Sequence, residues 1–419
     1  MGWRGRELPL ALYALVFVTG VAQNAIVPVL PALARHFGLS DSGAAELLAL
    51  QSLATLVASV PAGVLADRYG PRAVTLGGAV LLVVSCVGQA TPMLAVFVVG
   101  RVALGLAYAT VWTAGVAWLA GFPSSDGARR LGAAVTISSI GAAVGPATVG
   151  AIAGGIGKFA PFGLLALAGS AVALWLVRLG PGSTGPATRG PTVLPPPRPP
   201  RQVRPWPGRV TRRFGGGLGI AILALVASGV LSGALTLLVP LQLARAGQGA
   251  PVIGLAFSVA GVGYAGVSAV VSRLGARAAT ARVLLFAMAG MLVALLPALA
   301  SPGLFGALVV LVLVVAPRAA VGTAAYAVGL AAAPERGVRG GLAMGALNGL
   351  WATAMVVSPL LVGAVIGLGG YRAAYWVLEL GLVLTLLGAA WCSRSAGLRS
   401  TPAREAPSAL PGGAAPQPG

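Results

Sequence analysis

Apolar runs of roughly 20 residues recur along the whole 419-residue chain, and short turns separate them. Each run is long enough to cross a hydrocarbon core about 30 Å thick as an α-helix. Only 9% of the residues are charged, whereas a soluble domain carries about a quarter. The runs are also too long for the strands of a membrane β-barrel. The sequence therefore predicts an all-α polytopic membrane protein.

Twelve membrane spans are predicted from the positions of these runs. Turn residues such as Pro92, Gly157-Lys158 and Pro302-Gly303 mark boundaries between them. The predicted spans cover residues 8–31, 44–66, 73–91, 93–119, 131–156, 160–179, 216–243, 251–272, 280–299, 303–328, 341–368 and 373–392. An even number of crossings places both termini on the same side of the membrane.

The distribution of arginine predicts the orientation of the spans. The net charge of +20 falls mainly on alternate loops, which is the pattern of the positive-inside rule and not that of a nucleic-acid-binding surface. With the N-terminus in the cytoplasm, the outer loops hold only Arg35, Lys158, Arg245 and Arg372. We therefore predict a multi-pass protein of the bacterial inner (plasma) membrane, with both termini in the cytoplasm and no nucleic-acid partner.

The chain divides into four predicted regions. Residues 1–179 and 216–392 each hold six spans, and residues 180–215 join them. The joining segment contains a proline- and arginine-rich run from Pro195 to Arg201, which cannot form a helix, so we predict an extended cytoplasmic linker. Residues 393–419 are rich in Ala, Pro and Gly and are predicted to form a disordered cytoplasmic tail.

The two halves repeat three landmarks in the same order, which indicates an internal duplication. An arginine followed four residues later by glycine occurs in spans four and ten, and a small residue followed by proline and then glycine occurs in spans five and eleven. The matching residues are Arg101…Gly105 with Arg318…Gly322, Gly145-Pro146…Gly150 with Ser358-Pro359…Gly363, and the loop Arg68…Arg72 with Arg273…Arg277. Parallel repeats of this kind predict two similar six-helix bundles.

The loop after span two carries charge in an otherwise apolar region. Its key residues are Gly63, Asp67, Arg68, Gly70 and Arg72. Glycine permits a tight turn, and an aspartate at a helix end can accept hydrogen bonds or pair with arginine. This stretch resembles, nearly residue for residue, the signature loop of the major facilitator superfamily of secondary transporters.

The resemblance implies the major facilitator fold, in which two six-helix bundles rock about a central substrate site. It also implies that the loop is a cytoplasmic latch, in which Asp67 would face the positive dipole end of the helix that starts near Gly340-Gly341. The second-half copy has Ser272 where the acid would stand, so the resemblance does not extend to a second latch.

Arg101 and Glu379 are the candidates for coupling or cavity charges. An arginine inside a span costs about 2.5–3.5 kcal/mol on insertion scales and is expected to face the protein interior. Arg101 resembles the family's span-four arginine, which implies a role with coupling ions or anionic groups; the alternative is a structural arginine that pairs with backbone carbonyls. Glu379, in span twelve, is either the proton-coupling carboxylate or the partner of Arg372. Arg318 is predicted to be structural.

Small residues and a proline occur at helical spacing in span five. They are Gly141, Gly145, Pro146 and Gly150. Small residues let helices approach closely, and proline opens the backbone hydrogen-bond ladder. The run resembles the span-five motif of exporters that exchange substrate for protons, which implies export. The alternative is a close-packed, kinked helix without directional meaning.

Polar and aromatic side chains within the spans are the predicted substrate contacts. They are Gln23, Asn24, Tyr108, Trp112, Tyr326, Asn348 and Trp351. Each of them could instead serve as a packing residue between helices. A single histidine, His36, and two distant cysteines, Cys86 and Cys392, predict no metal site, disulfide or catalytic residues, and the sequence has no nucleotide-binding loop.

The sequence therefore predicts a secondary transporter, not an enzyme, that needs no cofactor and uses the proton as its coupling ion. We expect a monomer in the lipid bilayer that exports a small amphipathic organic molecule, a drug or a metabolite, by alternating access. An importer of a sugar or other small metabolite is the first alternative, and it would require cavity carboxylates and amides that the sequence lacks. A non-transporting membrane sensor is the remote alternative.

Overall fold

A computed structural model describes residues 4–120, 127–179, 216–301, 303–333 and 340–398. The predicted linker at residues 180–215 lies outside the described residues, as does the predicted tail after Leu398. Within the described residues, all regular structure is helical. The fold class predicted from the apolar runs is therefore confirmed.

The helices of the described residues follow the predicted spans to within a few residues. They are α1 (Arg4–Asn24), α2 (Ile26–Phe37), α3 (Asp41–Tyr69), α4 (Pro71–Gln89), α5 (Leu94–Thr110), α6 (Val116–Ala120), α7 (Gly127–Ile156), α8 (Ala160–Arg178), α9 (Gly217–Arg245), α10 (Ala250–Leu274), α11 (Ala281–Ala300), α12 (Leu304–Leu313), α13 (Val315–Ala332) and α14 (Gly340–Leu398). A π-helical turn, Val111–Gly115, joins α5 to α6, and a 3₁₀ turn, Gly275–Arg277, follows α10.

By length and composition, the described residues contain ten helices able to cross a membrane, or eleven if the bent pair α1–α2 is one span. The last of them, Ala346–Arg394, has 49 residues, about twice what a hydrocarbon core requires. It is interrupted at Gly370, whose φ of 74° is not helical. Two crossings within this stretch would bring the number to the twelve expected from the sequence.

The predicted first span and the predicted tail both differ from the structure. Span one is bent by 43° between α1 and α2. Pro28 lies four residues after Asn24, the last residue of α1. Proline has no N–H to donate to the Asn24 carbonyl, and its ring would clash with that carbonyl in a continuous helix. The tail was expected from Ser393, but α14 continues to Leu398, because the first proline after the span comes only at Pro402.

Local sequence explains where α2, α3 and α4 begin and end. Gly38 ends α2 with a φ of 64°, a left-handed conformation that glycine adopts without strain. Ser40 caps α3, and its hydroxyl accepts a hydrogen bond from the Gly43 N–H at 3.3 Å. Gly70 (φ 86°) and Pro71, the first residue of α4, separate α3 from α4. The tight turn predicted at Gly70 is therefore present.

The first and fifth spans of each half pack through small residues, as the internal repeat predicts. In the N-terminal half, a Cβ added to Gly20 would lie 2.7 Å from the Ser138 carbonyl oxygen, and Gly145 packs on Val21. In the C-terminal half, a Cβ added to Gly233 would lie 3.1 Å from the Cβ of Ser358, the counterpart of Gly145. The two halves therefore use the same helix pair, α1–α7 and α9–α14, in the same way.

The most extensive contacts between the two halves are made by two helix pairs, α7–α10 and α3–α14, and α2 also packs on α9 and α10. Gly254 of α10 packs against the backbone of Pro146 and of Gly150 in α7, so closely that a Cβ added to Gly254 would lie 2.9 Å from the Pro146 carbonyl carbon. In the other pair, the Ser42 hydroxyl donates to the Gly363 carbonyl at 3.1 Å, and Gly363 packs on Ala45. Both pairs rely on glycine for close backbone approach.

A charged cluster joins the halves at the same end of the molecule. Arg245 Nη2 lies 2.9 Å from Asp41 Oδ2, and the Tyr371 hydroxyl donates to the same carboxylate at 3.3 Å. The Arg245 guanidinium also lies over the Tyr371 ring, 4.5 Å from its centroid. We call these three residues the clasp, and their end of the molecule the clasp end; the end that carries Asp67 is the loop end.

Toward the loop end, α3 has an exposed apolar face: Val57, Val60 and Val64 are 65%, 76% and 61% exposed. The hydrogen bonds and the ion pair described between the halves lie toward the clasp end.

Candidate functional site

The loop predicted to be a latch lies at the last turn of α3 and the start of α4. Asp67 and Arg68 are exposed, and the Arg68 guanidinium lies 5.4 Å from the Tyr69 ring centroid. The helix expected to face Asp67 does begin at Gly340, but residues 334–339 before it lie outside the described residues. The latch therefore stays a prediction.

Arg101 lies at the tight contact between α5 and α3. It is 1% exposed, and its Nε donates to the Leu47 carbonyl of α3 at 3.1 Å. One turn later, Gly105 packs against the α3 backbone, and Thr55 donates to the Gly105 carbonyl at 3.1 Å. This geometry corresponds to the alternative of an arginine bonded to a backbone carbonyl, and a role for Arg101 as a cavity charge stays a prediction.

The small-residue motif of α7 faces two partners. Gly141 and Gly145 pack on α1, whereas Pro146 and Gly150 pack on α10 in the other half. Proline interrupts the helix ladder, and the next N–H, that of Ala147, donates to the Ser258 hydroxyl of α10 at 2.8 Å. The motif therefore forms part of the contact between the halves.

The N-terminal half groups three of the predicted substrate contacts. The Tyr108 and Trp112 rings are stacked, with centroids 6.2 Å apart and an angle of 7° between their planes. The Gln23 side chain lies close to the Tyr108 hydroxyl. Trp112 lies in the π-helical turn, a feature that is frequent at functional sites. Asn24 does not join this group, since its amide donates to the Gly20 carbonyl of its own helix at 3.4 Å.

The C-terminal half contains a polar cluster that sequence reasoning only partly predicted. The Arg318 guanidinium lies 5.1 Å from the Tyr264 ring centroid, and Tyr264 and Tyr326 are close enough to interact electrostatically. The Tyr264 hydroxyl fits against Gly322, where a Cβ would block it. Tyr264 was missed, although a tyrosine in the middle of an apolar span is the signal that identified Tyr108.

The other two predicted contacts of the C-terminal half lie elsewhere on α14. Asn348 is exposed, and Trp351 packs against Gly229 of α9. Neither has a described contact with the cluster of Tyr264, Arg318 and Tyr326. The contact of Trp351 fits the packing alternative, and a role in substrate binding for Asn348 and Trp351 stays a prediction.

The polar groups of both halves lie at the same depth. Measured from the clasp end, Gln23, Tyr108, Tyr264 and Arg318 each stand about 14 residues from the end of their helical segment, or roughly 21 Å along an α-helix. This depth is close to the middle of a hydrocarbon core about 30 Å thick plus its interfaces. The two halves therefore present polar and aromatic side chains near the middle of the membrane.

Glu379 lies on the part of α14 after Gly370. Its Oε2 is buried and has no hydrogen-bond partner among the described residues. Arg372 is exposed, and the described residues contain no ion pair between it and Glu379. One turn before Glu379, the Tyr375 hydroxyl donates to Gln242 Oε1 of α9 at 2.7 Å. The pairing considered for Glu379 and Arg372 is therefore not found.

A sequence profile described as Major Facilitator Superfamily matches residues 12–247, more than half of the chain. The chain belongs to the major facilitator superfamily. This family consists of transporters, and the chain is a multi-pass membrane protein.

Several curated members of the superfamily match part of the chain. Over 158 residues it is 32% identical to the tetracycline resistance protein, class C, of Escherichia coli, and over 157 residues 32% identical to the drug efflux pump JefA of Mycobacterium tuberculosis. An uncharacterized MFS-type transporter of Schizosaccharomyces pombe is 31% identical over 168 residues. These alignments cover 36–38% of this chain and 39%, 31% and 36% of the respective relatives. The match thus spans about a third to two-fifths of each relative.

Solved structures of the superfamily share the fold over nearly the whole chain. A bacterial homolog of the human lysosomal transporter Spinster, in an inward-facing and unoccupied conformation, superposes with a TM-score of 0.66 at 16% identity, covering 95% of this chain and 97% of that one. A D-xylose-proton symporter gives 0.65 at 16% identity, covering 92% and 96%. At this identity the similarity establishes the fold alone.

The clasp gives a first prediction for this major facilitator protein. Replacing Arg245 with glutamine is expected to raise the ratio of molecules open at the clasp end to molecules closed there by up to about fivefold. The reason is that a partly exposed ion pair contributes about 0.2–1 kcal/mol. Arg245 is 64% and Asp41 22% exposed, so the shift is expected to shrink in high salt. Electron-spin distance measurements between labels at Glu46 and Leu368, both exposed near the clasp end, would detect the opening.

Arg372→Gln is the matched control for this experiment. Arg372 neighbours Tyr371 in the chain and is exposed, but it has no described contact with Asp41. An equal shift in both variants, or no shift in Arg245→Gln, would contradict a stabilising clasp.

Proposed function

We propose that the protein exports a small amphipathic organic molecule, a drug or a metabolite, in exchange for protons by alternating access. The observation that carries this proposal is the α7 motif, which resembles that of proton-exchanging exporters and lies at the contact that must open and close during transport. The tetracycline resistance protein and the drug efflux pump among its relatives support export.

The proposed cycle uses contacts at both ends. To open the clasp end, the protein must break the Asp41–Arg245 pair and separate Ser258 from the Ala147 N–H. To close the loop end, Asp67 would meet the start of α14, where the helix dipole favours a negative charge. By the predicted orientation, the clasp end is the outer end of the protein in the bacterial inner membrane, and the loop end is the cytoplasmic end.

The proposed cargo site lies between the aromatic groups of the two halves. Tyr108 and Trp112 on one side and Tyr326 on the other supply flat apolar surfaces, and Gln23 supplies hydrogen bonds. Glu379 is the proposed proton carrier, because its buried oxygen is without a partner among the described residues. Protonation removes the cost of keeping such a carboxylate charged in the membrane.

A sugar importer is the second candidate, since a D-xylose-proton symporter shares the fold. We favour export because the described residues at mid-depth offer the aromatic surfaces of Tyr108, Trp112 and Tyr264, and the Asn24 amide is already bonded to its own helix. An importer would accumulate its substrate along the proton gradient, whereas an exporter would expel it.

Transport in everted membrane vesicles tests the proposal. Vesicles that contain the protein are expected to accumulate lipophilic fluorescent dyes when a proton gradient is applied and to lose them when a protonophore collapses it. Dye uptake that ignores the protonophore would count against proton coupling, and the absence of uptake with every dye would count against export.

Asp67→Asn is expected to lower this uptake about tenfold or more while the protein stays in the membrane. The variant keeps the size of the side chain but removes the charge that the latch requires. Glu46→Gln is the matched control, because Glu46 is an exposed acid near the other end of α3. Equal uptake by Asp67→Asn and the unaltered protein would refute the latch. If the unaltered protein itself moved no dye, the result would favour the alternative of a non-transporting membrane sensor.

A further inference from the structure

We infer that the cargo site takes an organic anion, a carboxylate joined to an aromatic ring, and that Arg318 and Tyr264 bind it. This inference rests on the proposed function and specifies its substrate class. Arg318 is half-buried at mid-depth and stacks on Tyr264 of a neighbouring helix. The described residues contain no hydrogen bond from the Arg318 guanidinium, so its N–H groups can bind another partner.

No carboxylate of the described residues forms an ion pair with the Arg318 guanidinium. The acids of the described residues other than Glu379 stand at or near helix ends: Glu7, Asp41, Glu46 and Asp67. The one ion pair among the described residues is Asp41–Arg245, at the clasp end. Arg318 therefore brings an unpaired positive charge to the middle of the membrane, where an unpaired charge is unfavourable. A bound anion would neutralise it.

Arg101 does not compete for this role. It is almost fully buried, and its Nε is bonded to the Leu47 carbonyl, whereas Arg318 retains partial exposure. Of the two arginines that the sequence repeat matches, Arg318 is therefore the one whose guanidinium a bound molecule can reach.

The groups near Arg318 favour an aromatic carboxylate over a simple inorganic anion. A guanidinium can bind both oxygens of a carboxylate through two parallel hydrogen bonds. Tyr326 adjoins Tyr264, and the stacked Tyr108 and Trp112 rings lie at the same depth in the other half. Such rings bind a flat apolar body and do not select for small hydrophilic ions.

Binding of three matched probes to the full-length protein in lipid nanodiscs tests the inference. The probes are 1-naphthoate, its uncharged methyl ester and the cation 1-naphthylmethylammonium, and tryptophan fluorescence or calorimetry reports binding. We expect the naphthoate to bind at least about tenfold more tightly than the other two. Equal or weaker binding of the naphthoate would overturn the inference without any variant.

Variants then assign the binding to Arg318. Arg318→Gln is expected to weaken naphthoate binding about tenfold or more and to leave binding of the methyl ester unchanged. Arg318→Lys is expected to keep part of the preference for naphthoate over the ester, because lysine keeps the positive charge but lacks the planar guanidinium. Arg372→Gln is the control and should bind as the unaltered protein does. Unchanged naphthoate binding by Arg318→Gln would mean that Arg318 only packs against Tyr264.

The same probes separate this inference from the proposed function. Vesicles that move the ester or the cation in response to the proton gradient, but not the naphthoate, would overturn the anion site and leave export standing. Vesicles that move none of the three, while the purified protein binds naphthoate through Arg318, would overturn export and leave the anion site standing.

Discussion

Replacing Gly254 with alanine is expected to slow transport about tenfold without unfolding the protein. The new Cβ would lie 2.9 Å from the Pro146 carbonyl carbon and 3.2 Å from the Gly150 Cα, and both belong to the backbone of the other half. Backbone atoms of a packed helix cannot move aside as a flexible side chain can, so the halves must separate. Overpacking of this kind costs about 1–3 kcal/mol, and about 1.4 kcal/mol is a factor of ten in population.

The cost falls only on the conformation that is closed at the clasp end. In the open conformation the two helices are apart, and alanine is the better helix former by about 1 kcal/mol. The variant should therefore populate the open state, with longer distances between spin labels at Glu46 and Leu368 and slower vesicle uptake.

Gly266→Ala is the matched control on the same helix. A Cβ added to Gly266 meets nothing within 4 Å, so this variant should transport normally and be slightly more stable. If Gly254→Ala kept the label distances and the transport rate of the unaltered protein, the tight α7–α10 contact would not be part of the cycle.

Replacing Gly105 with alanine is expected to have the second large effect, and that effect is on stability. The added Cβ would lie 2.6 Å from the Ala54 Cβ and 2.9 Å from the Thr55 nitrogen, next to the Thr55 hydrogen bond to the Gly105 carbonyl. These contacts join α5 to α3 within one half, so no conformation of the cycle relieves them. We expect about 1–3 kcal/mol of destabilisation, seen as a lower melting temperature in detergent.

Gly77→Ala provides the comparison for Gly105→Ala. Gly77 lies on α4 of the same half, and a Cβ there meets nothing within 4 Å. Its melting temperature should equal or slightly exceed that of the unaltered protein. A melting temperature for Gly105→Ala as high as that of Gly77→Ala would mean that α5 and α3 can separate at little cost.

The two glycine variants separate two uses of small residues in this membrane protein. Gly105 serves packing inside a half, and Gly254 serves a contact between halves that the proposed cycle makes in only one conformation. Both are glycines in apolar helices, and sequence spacing does not distinguish them. Hydrophobic association contributes little between helices in lipid, so close backbone contact at small residues supports both kinds of interface.

Helix boundaries were predictable because turn chemistry is local. Gly70-Pro71 was expected to turn the chain and does so, since glycine adopts a positive φ and proline suits the first turn of a helix. The bend at the end of α1 was also encoded locally, by Pro28, but a search for apolar length alone passes over it. The break at Gly370 was predicted by the gap between spans eleven and twelve.

The candidate site was less predictable, because partners come from distant segments. Gln23, Tyr108 and Trp112 were selected as polar or aromatic residues in apolar spans, and the structure brings them together. Arg101 and Arg318 occupy equivalent positions of the repeat, yet one is buried against a carbonyl of α3 and the other stacks on Tyr264. Since α3 and α10 are themselves counterparts in the repeat, the side chains and carbonyls that these helices present decide between the outcomes.

By itself, the amino-acid sequence determined that this protein is an all-helical membrane protein, because hydrocarbon imposes length and polarity limits that single segments reveal. Its family was indicated by the resemblance of the loop from Gly63 to Arg72, and its two related halves by the repeated landmarks. The tertiary structure alone decided which end holds the halves together, through Asp41, Arg245 and Tyr371, and which arginine remains accessible at mid-depth. Both features depend on contacts between residues separated by up to 330 positions, and no local pattern encodes such contacts.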